Sequence, residues 1–164
     1  MFRAVAVACS LLASGAAETA VWPRVQLRDA DGAEFVRLAL NGATRRLARP
    51  RCRRLFSEFL DERGRPLLVR LAELDSSETS YLPLLVFADG SQTAQCRTRP
   101  TFAYTERGSR VVFVCGERFQ RVWHQSRAKA ESVLIHEALH TLGLGENPPS
   151  STEITKRVQF YCSH

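Results

Sequence analysis

Four side chains of this 164-residue chain stand at spacings that could do chemistry: His136, Glu137, His140 and Glu146. His136-Glu137-Ala138-Leu139-His140 reads H-E-x-x-H, and residues four apart on a helix share one face, so both imidazoles can reach a single ion. Glu137, next to the first imidazole, can contact a water on that ion. Zinc brings the pKa of such a water to about 7, and a carboxylate beside it can take the proton as the water attacks a carbonyl. A centre of this type needs a third protein ligand and an open fourth position. Gly143 comes three residues after His140, and Glu146 three after Gly143, which extends the pattern to H-E-x-x-H-x-x-G-x-x-E. A glycine in the left-handed region ends a helix and turns the chain back toward the ion. Gly145 adds a second flexible point, and Pro148-Pro149 blocks helical continuation. Glu146 is therefore the expected third ligand. Glu153 ranks second, because a helix cap already accounts for it.

The elements that must hold these residues can be read around them. From about Ser126 to Leu142 the pattern is helical, with Val133, Leu134 and Leu142 opposite the motif. Ser150 followed by Glu153 is a capping box that starts a final helix. Upstream, Pro50 opens a helical pattern with Cys52, Leu55, Phe56, Phe59 and Leu60 on one face, stopped by Gly64. Pro66 opens another, carrying Leu67, Leu68, Leu71 and Leu74. Leu84–Ala88, Thr101–Thr105 and Arg110–Cys115 read as strands, the last two joined by a hairpin turn at Glu106-Arg107-Gly108-Ser109. Residues 22–48 mix Asp-Gly and Asn-Gly turn signals with short apolar stretches such as Glu34–Leu40, and read as one or two strands.

The first residues read as an address. Met1-Phe2-Arg3 is a short positive start, Ala4 to Leu12 is almost wholly apolar, and small residues follow to Ala17. That is the layout of a secretory signal peptide over residues 1–17, which leaves one domain over 18–164 in a secreted or periplasmic protein. Cys9 sits too early in the apolar run for a lipoprotein anchor, and no later segment approaches membrane-spanning length. Without the leader the cysteines become four, Cys52, Cys96, Cys115 and Cys162. An even number in an exported chain points to two disulfides, and Cys96–Cys115 with Cys52–Cys162 is the favoured pairing of the three possible.

The segment His136–Glu146 resembles the zincin metallopeptidases, with spacing similar to the metzincin branch. In that branch the third ligand is normally His, sometimes Asp, and a methionine turn lies beneath the metal; here the third position is Glu and the only methionine is Met1. The resemblance implies a small, divergent zincin: an α+β domain with a short twisted sheet packed with helices, the metal-binding helix behind it and a C-terminal helix last. It implies one catalytic Zn2+ held by His136, His140 and Glu146, with Glu137 as general base. It also implies a free edge strand that binds extended substrate by strand addition, either Arg110–Cys115 or Leu84–Ala88. Tyr161, Tyr104, His124 and His164 are candidates for the donor that a transition-state oxyanion needs.

The expected function is an exported zinc peptidase acting on a peptide or protein substrate. The alternative is a zincin-fold binding or structural module that keeps a metal without useful turnover. A third class, a basic surface for anionic polymers, draws on the formal charge of +6 and on Arg45, Arg46, Arg49, Arg51, Arg53 and Arg54. That cluster shares a helix with Cys52, Leu55 and Phe56, so a solvated helix face explains it. No interleaved aromatics offer a stacking surface, and no nucleic-acid partner is expected.

Overall fold

Apolar residues at the helical period dominate the described chain, and helices accordingly outweigh strands. The structure is a computed structural model that describes residues 23–163, so the leader at 1–17, Cys9 and His164 lie outside the described residues. In order the elements are β1 (Arg24–Gln26), α1 (Ala30–Leu47), α2 (Pro50–Arg53), α3 (Leu55–Glu58) and α4 (Leu67–Glu73). A 3-10 turn at Leu82–Leu84 leads into β2 (Val86–Asp89), followed by α5 (Ala94–Thr98), β3 (Ala103–Thr105) and β4 (Val111–Val114). The chain closes with α6 (Gly116–Gln125), α7 (Arg127–Thr141) and α8 (Ser151–Cys162). The class is α+β, as expected.

The strands form one sheet in the order β1-β2-β4-β3, with β1, β2 and β4 parallel and β3 antiparallel to β4. This corrects the expected edge. Leu84–Ala88 and Arg110–Cys115 supply β2 and β4, which are interior strands with both neighbours paired. The tight turn at 106–109 folds β3 back along the outer side of β4, so β3 is the edge beside α7, which packs on both strands.

Residues 28–48 also depart from expectation: Glu34–Leu40 is helical, not a strand. Ala33, Val36, Ala39, Leu40, Ala43 and Leu47 are buried at helical spacing, a stripe that period-2 alternation would split between two faces. The two turn signals have other roles. Asp29 caps α1 by accepting the Gly32 N–H, which places Asp31-Gly32 in the first turn. Asn41-Gly42 lies where α1 meets α7, and a side chain at Gly42 would run into the Glu131 carboxylate. The helix expected to run on from Pro50 is instead two single turns, α2 and α3. Phe59 is extended beyond them, and Leu60 and Pro66 form a β-bridge across a turn that the Asp61 carboxylate closes by accepting the Arg63 and Arg65 N–H groups.

At the centre lies α7, buried on nearly every side by α1, α6, α8 and the sheet. Leu134, Ile135, Ala138 and Leu139 are fully buried, and so nearly are His136, Glu137 and His140. Arg46 of α1 pairs with Glu131 of α7 and donates to the Cys162 carbonyl at the end of α8, which ties the three helices together. Both expected disulfides are present: Cys52–Cys162 fastens α2 to α8, and Cys96–Cys115 fastens α5 to the end of β4. Such cross-links fit an oxidising, extracellular compartment. No described helix is long and apolar enough to cross a membrane.

Candidate metal centre and cleft

The motif is built from the start of α7 onward. Ser126 caps the helix by accepting the Lys129 N–H, and from there the 3.6-residue period carries His136 and His140 to one face. The far end is held by a buried relay. The fully buried Tyr81 donates its hydroxyl hydrogen to Thr141, which donates in turn to the Ala138 carbonyl. Gly143 then takes φ +106° and the chain reverses, as the spacing predicts. Leu144 pairs with Asp61 in a β-bridge, and the Asp61 side chain lies 3.3 Å from where a Cβ on Gly143 would be. The reversal delivers Glu146 to the histidines.

The three predicted ligand side chains converge. The two Nε2 atoms are 3.0 Å apart, and Glu146 Oε1 is 3.3 Å from His140 Nε2 and 3.8 Å from His136 Nε2. Donors this close suit one ion with bonds of about 2.0–2.2 Å to nitrogen and oxygen. Tautomers agree with that use. His140 Nδ1 donates to the Leu144 carbonyl at 2.8 Å, an acceptor that cannot donate, which leaves Nε2 as the ring nitrogen facing the other ligands. Thr155 Oγ1 of α8 lies 3.1 Å from His136 Nδ1 and orients the other ring by a hydrogen bond, the hydroxyl accepting when that nitrogen carries the proton. Burial and the neighbouring His140 push the His136 pKa down to about 3, which keeps that imidazole in its neutral, ligating form. His136, His140 and Glu146 can thus hold a metal ion among the described residues. Glu153 is engaged elsewhere: its carboxylate and backbone N–H both serve the Ser150 capping box.

Glu137 is buried beside this triad and lines the same cleft. Desolvation, with the Glu146 charge added, raises its pKa to about 8, against the opposing pull of the Thr105 backbone N–H of β3. A carboxyl poised near neutrality can both take and give a proton. The cleft, of about 460 Å³, runs between β3 and the 144–151 segment.

Of the expected oxyanion donors among the described residues, only Tyr104 lines this cleft, with its ring stacked on Phe113. Tyr161 donates its hydroxyl hydrogen to Glu58 outside the cleft, and His124 packs edge-on against Phe35 of α1. The structure adds residues that sequence reading did not single out: Thr155, the Leu144 carbonyl, Asp61 and Arg107. Leu144 had a local signal, four residues after His140. Thr155 and Asp61 act across tertiary contacts that no spacing encodes. Comparison with protein-family models, with curated proteins and with solved structures finds no match.

Proposed function

We propose that the chain is an exported zinc-dependent peptidase of zincin type, acting on extended peptide or unfolded protein. The observation that carries this reading is the convergence of two imidazoles and one carboxylate at one end of a cleft, with a second, buried carboxyl, that of Glu137, beside them. His136, His140 and Glu146 would hold the ion, which would supply polarisation of a carbonyl and acidification of water. Glu137 takes the proton of the attacking water and returns it to the leaving amine. The outer edge of β3, which no further strand covers among the described residues, aligns the substrate main chain by strand addition. Tyr104 is the remaining tyrosine candidate to face the developing oxyanion.

The test is metal analysis combined with hydrolysis. The purified protein should hold one zinc per chain, lost in His136→Ala and His140→Ala. Glu137→Ala should retain zinc and cleave no unstructured protein substrate. Equal inactivity of wild type and Glu137→Ala across a broad peptide library would instead establish a metal-holding binding module.

A further inference from the structure

Among the described residues, every lysine or arginine lining the cleft lies to one side or the other of the edge strand: Arg99 before β3 and Arg107 after it. Arg107 is the better placed. It sits in the hairpin turn, whose Gly108 N–H donates to the His140 carbonyl at 3.0 Å, so the turn is fastened to the end of the metal-binding helix. Its guanidinium lies over Gly145, the residue before Glu146, 3.3 Å from where a Cβ would be. Its carboxylate partner among the described residues is Glu62 at 3.6 Å, with both side chains at least half exposed. Such a pair is weak and easily exchanged for a better-placed carboxylate. A guanidinium held flat beside a substrate groove offers two parallel donors to a carboxylate.

We infer that Arg107 is a specificity residue that selects peptides carrying an acidic side chain next to the bond aligned at the metal centre. The inference rests on the peptidase reading for the position of that bond, while the recognition itself requires only that an extended peptide lie along β3. A peptide paired with β3 advances about 3.4 Å per residue. Arg107, two positions beyond the strand's last residue, therefore meets side chains close to the metal centre and not at the remote end of the groove. Arg107→Gln removes the charge while leaving a side chain over Gly145, and Arg107→Glu reverses it.

The experiment uses matched peptides differing by Glu, Gln or Lys at one position, scanned across the residues flanking the cleaved bond. It measures kcat/KM with wild type and the Arg107 variants. Peptide Kd is measured by calorimetry with Glu137→Gln alone and combined with each Arg107 change. At one position the acidic peptide should be favoured about tenfold or more over its neutral match in both measurements. That ratio should fall to near one with Arg107→Gln and turn toward the Lys peptide with Arg107→Glu, at unchanged zinc content. Equal binding and cleavage of acidic and neutral peptides, or an acidic preference surviving Arg107→Glu, would overturn the inference while leaving the peptidase reading intact. Arg107-dependent acidic binding without cleavage of any peptide by wild type would uphold the recognition site and sink the peptidase. Neither binding nor cleavage of any peptide would remove both.

Discussion

At the scale of single residues, the proposed metal centre depends on groups that would touch no metal. A histidine ligand is oriented by the partner of its other ring nitrogen, and here a backbone carbonyl contacts His140 Nδ1 and a hydroxyl lies beside His136 Nδ1. Thr155→Val keeps the shape of the side chain and removes that hydroxyl. Zinc affinity, measured by chelator competition, should fall about 10- to 100-fold. Unchanged affinity would mean that Thr155 does not orient the ring. The third ligand gives a second test. Glu146→Ala should lose zinc, because its carboxylate is the one within reach of both Nε2 atoms. Glu153→Ala should keep zinc and lose about 1 kcal/mol of stability with its half of the capping box. Zinc loss in the second variant and not the first would exchange their roles.

At the scale of elements, the loop from Gly143 to Glu146 has no regular structure of its own and is braced from outside. Asp61 is the brace. Its carboxylate accepts from the Arg63 and Arg65 backbone and from the Arg65 guanidinium, and its backbone pairs with Leu144. The Arg65 backbone N–H, then the Arg65 side chain and the Arg63 N–H, hold its pKa below the ordinary 3.8 against the cost of burial. A depressed carboxylate pKa means that the unfolded chain binds the proton more tightly. The stabilisation is then complete above about pH 4 and fades as pH falls through the lower folded value. Asp61→Asn should lower the melting temperature near neutrality, and the gap to wild type should close below pH 3.8. A gap independent of pH would assign the effect to shape alone. What was legible in the sequence follows the same division. The helices α7 and α8 could be read because motif, cap and apolar period agree within each segment. The β3–β4 hairpin could be read because its turn is local. The helix α1 could not, since Asn41-Gly42 resembles a turn until Glu131, 89 residues later, is seen packed on the glycine. Nor could the edge strands, β1 and β3, because strand order is decided by how the segments between the strands pack.

At the scale of the whole molecule, the two disulfides constrain different parts of the site. Cys52–Cys162 spans 110 residues and fastens α8, the helix that carries Thr155, to α2. Cys96–Cys115 spans 19 and fastens α5 to the end of β4. By loop-closure entropy alone the longer bridge contributes about 4–5 kcal/mol and the shorter about 3. The two should separate more sharply in metal binding than in stability. Freed from α2, α8 keeps its contact with α7 but loses its covalent anchor, and Thr155 no longer stands fixed against His136. Cys52→Ala/Cys162→Ala should therefore show both a lowered melting temperature and weakened zinc binding. Cys96→Ala/Cys115→Ala should lose somewhat less stability and bind zinc as wild type does. Stability must be compared with chelator present, because zinc bound to the folded state adds its own stabilisation by mass action and would mask the difference. Equal loss of zinc affinity in the two double variants would show that α8 is positioned by its packing on α7, with the longer bridge stabilising the chain and not the site.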